Sequence, residues 1–238
     1  MAPLVPFPWE SLAEIFFPPA CLACAEVLPA AGFFCRRCAE AVERLPTPHC
    51  IQCAEPGVFA RGRCPRCTSR PPPFDVAFAP FAHDGPIARA IHQFKYEDHP
   101  ELAPGLALLL SRGAPLFASS EAMLCAVPLH ARRFRGRKYD QAQLLAGALA
   151  KRTGQRCVCA LTRWRETQRQ VGLSEADREL NVAGAFRAAP VVRNERVLLI
   201  DDVFTTGATA RAAAAALLDA GARAVEVLTL ARAFSLTF

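Results

Sequence analysis

From about residue 74 onwards, short apolar runs alternate with longer stretches in which apolar residues recur at helical spacing. Residues 124–127 read as a buried strand and residues 140–151 as a helix. Residues 197–200 read as another strand, residues 209–220 as an alanine-rich helix, and residues 225–230 as a final strand. This alternation predicts an α/β fold, a parallel sheet flanked by helices, with any ligand at the carboxyl ends of the strands. Before residue 70 the alternation is absent. The run Arg70-Pro-Pro-Pro is stiff and extended and marks a boundary, giving one unit over residues 1–70 and a second over 74–238. Residues 9–17 fit a short amphipathic helix, expected to pack on the protein itself in preference to a membrane surface.

The longest apolar candidate, residues 106–110, falls far short of the roughly 20 residues of a membrane span. No basic residue precedes Glu10 and Glu14, and prolines stand where a signal peptide would be apolar, so a cytoplasmic protein without a membrane span is expected. Half the chain is apolar, enough for a sizeable core.

The first unit is organised by cysteine. Eight of the 11 cysteines fall in four CxxC pairs: Cys21/Cys24, Cys35/Cys38, Cys50/Cys53 and Cys64/Cys67. Each of the first four has a counterpart 29 residues later, an internal repeat. Two CxxC turns supply the four thiolates of a tetrahedral zinc site, with no position left open for chemistry. Disulfides do not suit a cytoplasmic chain, and a redox site needs a single CxxC at a helix start. Two structural zinc ions are therefore expected, one per repeat, with a crossed pairing of first and third CxxC the alternative. Such sites release about 10–16 kcal/mol on binding zinc, enough to fold a segment with little core. His49 is left out, since sulfur fills all four positions. Cys125, Cys157 and Cys159 lie in strand-like apolar stretches and are expected in the core.

Charge adds a second feature. Net charge is +6, yet 11 basic residues lie between Arg132 and Arg169 against only Asp140 and Glu166. A local field of this kind favours a polyanion, either pyrophosphate or nucleic acid. The chain has three lysines, Lys95, Lys138 and Lys151, so arginine carries most of the charge, and arginine suits bidentate phosphate contacts.

Residues 197–209, VLLIDDVFTTGAT, carry the chemistry. A strand runs into two acids, then a threonine- and glycine-rich loop, then a helix. The loop amides of Thr205, Thr206, Gly207, Ala208 and Thr209 and the helix dipole favour an anion, the threonines can add hydroxyl donors, and Gly207 lets it approach closely. No lysine stands in the loop, unlike a nucleoside-triphosphate P-loop. Asp201 and Asp202 would repel a phosphate placed against them. A ribose between the two resolves this, with its 5-phosphate on the loop and its hydroxyls on the carboxylates.

The segment VLLIDDVFTTGAT resembles the phosphoribosyl pyrophosphate motif of type I phosphoribosyltransferases. With FKY at residues 94–96, VPL at 127–129, RKYDQA at 137–142 and TQRQVGLSEADRELNVAGAF at 167–186, the chain resembles the ComF family, a branch with N-terminal zinc ribbons, over residues 21–232. The resemblance implies the type I phosphoribosyltransferase fold with a small N-terminal zinc-ribbon domain built on four-cysteine sites. It places pyrophosphate at the turn 128–133, with Arg132, Arg133 and Arg137 to neutralise it and magnesium bound beside them. It makes residues 165–178, with Gln170 and Arg178, a loop closing over the sugar, and Lys95 a candidate contact. Where the family has asparagine the chain has Asp140, whose charge argues against a direct pyrophosphate contact. Two functions are implied. One is a phosphoribosyltransferase for an unknown nitrogen acceptor, in which Asp201 and Asp202 would stabilise an oxocarbenium-like sugar. The other is a phosphoribosyl pyrophosphate-binding protein linked to DNA uptake, with single-stranded DNA and DNA-uptake proteins as partners. No residue stands out as a base, and His83, His92, His99 and His130 read as surface or structural positions.

Overall fold

The computed structural model describes residues 19–29, 32–114, 117, 121–129, 138–165 and 175–234. In chain order the elements are the short helices α1 (Arg36–Glu40) and α2 (Pro65–Ser69), strands β1 (Val76–Phe78) and β2 (Phe81–Ala82), helices α3 (Gly85–Tyr96) and α4 (Ala103–Gly113), β3 (Met123–Ala126), α5 (Gln141–Thr153), β4 (Leu161–Arg163), α6 (Glu175–Val182), β5 (Phe186–Ala188), β6 (Arg196–Phe204), α7 (Ala208–Asp219) and β7 (Ala224–Arg232). The segment 9–17 lies outside the described residues.

Five strands form one parallel sheet in the order β1–β7–β6–β3, with β2 continuing the β1 edge along β7. β6 is therefore central. Its side chains alternate strictly, as a strand covered on both faces requires. Leu198 and Ile200 enter a core with Ile91 and Phe94 of α3, Leu106 and Leu110 of α4, and Leu145 and Leu149 of α5. Val197 and Leu199 enter the opposite core with Ala213, Ala214 and Leu217 of α7. The alanines of α7 let that helix lie close to the sheet.

The five elements expected from the apolar pattern all form, with one difference that matters. β6 does not stop at Ile200 but continues through both acids to Phe204, because β7 pairs with it as far as Phe204↔Arg232. The antiparallel pair β4–β5, which stands apart from the main sheet, had no counterpart in the apolar pattern. Cys125 is buried as expected, whereas Cys157 and Cys159 are exposed. Their stretch makes only an isolated bridge, Leu124↔Cys157, at the sheet margin, so the core does not enclose them.

The 29-residue repeat is a repeat of structure. Cys21 N donates to Glu26 O and Cys50 N to Glu55 O, both at 2.8 Å. Ala25 and Ala54 both adopt a left-handed backbone, at φ 57° and 56°. Helices α1 and α2 each begin immediately after a cysteine cap, Cys35 and Cys64. The two copies meet different neighbours. Leu22 of the first joins the α3–α4–α5 core, and the cysteines of the second join the α7 core. The backbone between them and the first turn of the second copy cover the outer edge of β1 and β2: Leu45 N bonds Pro80 O, Ala82 N bonds Glu43 O, and Ala77 N bonds Gln52 O. An open sheet edge would otherwise offer unpaired amides to another chain.

Candidate functional site

Strand alternation sets the two acids on opposite sides of the sheet. Asp202 follows the parity of Leu198 and Ile200, toward α3, and there Lys95 Nζ lies 2.6 Å from its carboxylate, both side chains mostly buried. Lys95 stands in the last turn of α3, whose opening is fixed by Asp84 accepting from Gly85 N at 2.7 Å. Asp201 takes the other parity and accepts from the Asp202 amide at 2.9 Å. Burial pushes the Asp201 carboxyl up to about 8, and the Asp202 charge adds to this while Lys95 opposes it. At neutral pH one acid is thus held neutral by burial and its neighbour is paired with a lysine.

Three residues beyond Phe204, Gly207 turns the chain at φ 80° and caps α7. A Cβ here would stand 2.6 Å from the Phe204 ring, so both the backbone angle and the space require glycine. Thr206 Oγ1 accepts from Ala208 N at 3.4 Å. The first amides of α7 have no carbonyl one turn earlier to bond, and α7 begins four residues after the end of β6.

Two neighbours carried no signal in the sequence. His83 follows β2 and is near enough to feel Lys95 and Asp202. Burial lowers its pKa and Lys95 lowers it further, against Asp202 and Asp84, so it is neutral at pH 7. Arg232, the last residue of β7, is 2 % exposed and donates to the carbonyls that enter the loop. Only its register opposite Phe204 could have pointed to it, and register is not visible in one sequence.

The cysteines form two groups, Cys21/Cys24/Cys35/Cys38 and Cys50/Cys53/Cys64/Cys67, with all sulfurs of a group within 4.8 Å of one another. The pairing is successive, not crossed. Cys24 and Cys35 sulfurs are 3.8 Å apart, and Cys53 and Cys64 sulfurs 3.6 Å. The edge of a tetrahedron with zinc–sulfur bonds near 2.3 Å is about 3.8 Å, so the sulfurs fit a zinc ion and not a disulfide. Cys64 N donates to Cys50 Sγ at 3.3 Å, a bond that stabilises a thiolate. Both are groups of zinc-ribbon type. His49 is occupied with Pro46 O at 3.2 Å.

Comparison with known proteins agrees with this layout. Residues 12–68 match the double zinc ribbon domain, and residues 140–237 the phosphoribosyl transferase domain. DNA utilization protein YhgH of Salmonella typhimurium is 34 % identical over 208 residues, covering 83 % of this chain and 89 % of that protein. The chain belongs to the ComF-like family, phosphoribosyltransferase-domain proteins with an N-terminal double zinc ribbon. Competence protein F of Haemophilus influenzae is 29 % identical over 230 residues, 92 % of this chain and 99 % of that one. A solved allosteric regulatory enzyme of purine biosynthesis shares 24 % identity and a TM-score of 0.42 over 58 % of this chain, which spans about 30 % of that structure's length.

Of the residues that the family likeness singles out, Arg132, Arg133, Arg137 and Gln170 lie outside the described residues, and Arg178 falls in α6 with its side chain undescribed. Asp140 has a different task from the one its position suggests. It is buried, caps α5 through Gln143 N at 3.1 Å, and its second oxygen accepts from Leu129 N at 2.6 Å. Both oxygens are thereby used on backbone, and burial raises its pKa against the pull of these amides. The basic excess is also smaller than its count suggests among the described residues. Lys138 pairs with Asp98 and Arg156 with Glu195, while Arg163 is buried over the Phe186 ring. Arg165 donates to the carbonyls of Asn181 and Ala183. Among the described residues, no helix is long and apolar enough to cross a membrane.

Proposed function

We propose that the chain binds a ribose 5-phosphate group, in the form of phosphoribosyl pyrophosphate with magnesium, at the carboxyl end of β6. The observation that carries this reading is one continuous run: two acids on the central strand, a glycine-turned loop, and the start of α7. Thr205, Thr206, Gly207, Ala208 and Thr209 hold the phosphate through amides and hydroxyls. Asp201 and Asp202 accept the ribose hydroxyls, and Lys95 keeps Asp202 in place until they arrive. Arg132, Arg133 and Arg137 take the pyrophosphate, and residues 165–178, with Gln170 and Arg178, cover the sugar. Magnesium would supply charge neutralisation at the pyrophosphate. The eight cysteines hold two structural zinc ions. The names of the relatives support a role in DNA utilisation or competence; a cytoplasmic location, with single-stranded DNA and DNA-uptake proteins as partners, is part of the proposal. The division into a ribbon unit over 1–70 and a transferase-like unit over 74–238 is part of the proposal.

A second reading, an active phosphoribosyltransferase, is favoured by the raised pKa of Asp201, since perturbed carboxyls gather at catalytic sites. Titration calorimetry with phosphoribosyl pyrophosphate and magnesium tests the pocket. Binding that weakens at least tenfold in Asp202→Asn is expected, and no binding by the intact protein overturns the reading. Slow pyrophosphate release in the presence of a base or amine would select the enzyme; its absence across a panel would select the binding role.

A further inference from the structure

We propose that Arg232, together with the Ala233 amide beside it, sets the direction of the phosphate-loop amides, and that the second four-cysteine group holds Arg232 in position. The inference rests on the reading of residues 205–209 as an anion site. An arginine as buried as this one must satisfy its N–H groups within the protein. It does so on two sides. Toward the second ribbon, Nε donates to Cys53 O at 3.3 Å and Nη2 pairs with the Glu55 carboxylate. Toward the loop, Nη1 donates to Phe204 O at 3.2 Å, which also accepts from Ala233 N at 2.9 Å, and to Thr205 O and Ala233 O. The guanidinium carbon lies 4.9 Å from the centre of the Phe204 ring, the ring that fills the space beside Gly207.

The directions of these bonds decide what the arginine does. In a planar trans peptide the carbonyl and the next residue's N–H point in opposite senses. A Phe204 carbonyl turned toward Arg232 therefore turns the Thr205 N–H away from it, and the Thr205 carbonyl does the same for the Thr206 N–H. Two consecutive amides are thus turned away from Arg232 just before α7, where backbone donors can take an anion. The planar fork of arginine can span carbonyls on two segments at once, which a lysine ammonium cannot do with the same geometry. The anchor behind it is the knuckle of Cys50 and Cys53, which a tetrathiolate zinc site would make rigid. The second ribbon is on this account the outer wall of the phosphate site, although none of its atoms need touch a ligand.

The test uses Arg232→Lys and Glu55→Ala in the full chain. Glu55 is a third exposed, so its variant carries the test even if the arginine variant does not fold. Nitrogen-15 amide spectra of Thr205 and Thr206 are read without ligand, alongside zinc content and inorganic phosphate and ribose 5-phosphate affinity. The expected result is displaced amide resonances at both residues and at least tenfold weaker phosphate binding, with two zinc ions retained. Loop amides that stay unchanged in a folded, zinc-replete variant would overturn the proposal. Loop amides that respond, in a protein whose wild type binds neither phosphate at millimolar concentration, would keep the positioning role and remove the anion site.

Discussion

At residue scale, the paired acids behave as unequal partners. Asp202 faces α3 and has a lysine; Asp201 takes the other parity and, among the described residues, accepts from the neighbouring amide. Its pKa of about 8 is above the usual carboxylate value near 4, so the folded state holds a proton that the unfolded chain has released. Stability should therefore fall as pH rises from about 4 to about 8, by up to about 1.4 kcal/mol per pH unit for one proton. Melting temperatures across that window should show the slope in wild type and a flatter profile in Asp201→Asn. Equal slopes would mean that Asp201 is already ionised. Gly207→Ala meets both a left-handed backbone and a ring 2.6 Å from the new methyl, and should cost about 1–2 kcal/mol or more in urea denaturation. A neutral result would require the Phe204 ring to move.

At element scale, what could be read from sequence was what local pattern encodes. Apolar runs gave β3, β6 and β7, and 29-residue spacing gave the two cysteine groups. The run of acids, threonines and glycine gave the loop. What could not be read depends on contacts between distant segments. The extension of β6 past Ile200 comes from pairing with β7, the ion pair of Lys95 with Asp202 joins α3 to β6, and Arg232 is buried by a ribbon nearly 180 residues earlier in the chain. Cys157 and Cys159 are the counter-example, apolar in sequence context yet exposed. Asp140 is instructive too. The cap of α5 alone would accept asparagine, but the second oxygen also accepts from Leu129 N, and an amide nitrogen there would face another donor. Asp140→Asn is thus expected to destabilise by about 1 kcal/mol. Chemical denaturation that finds the variant as stable as wild type would show that the Leu129 bond is dispensable.

At the scale of the whole molecule, the two ribbons clasp the sheet from opposite faces. The first touches α3, where Gln93 donates to Ala23 O at 3.2 Å and Arg89 approaches Cys38 Sγ at 3.8 Å. The second reaches β7 through Arg232. Their cysteines differ in access: Cys24 is partly exposed, whereas all four of the second group are buried. A strong chelator should remove one zinc ion quickly and the other slowly, with loop 205–207 keeping its amide spectrum until the slow one leaves. Release of both at one rate would count against a protected second site.

The pairing of β1 and β2 with β7 joins an early segment to a late one, Val76 opposite Glu226. Contacts this distant along the chain close slowly, because the intervening loop entropy is spent before they form. On a ribosome, both cysteine groups emerge and can take up metal long before β7 exists. Until then the edge strand has no partner in the sheet and the wall behind the phosphate loop has nothing to lean on. Synthesis thus makes the scaffold first and the site last, and a nascent chain released before β7 would carry metal while lacking a formed pocket.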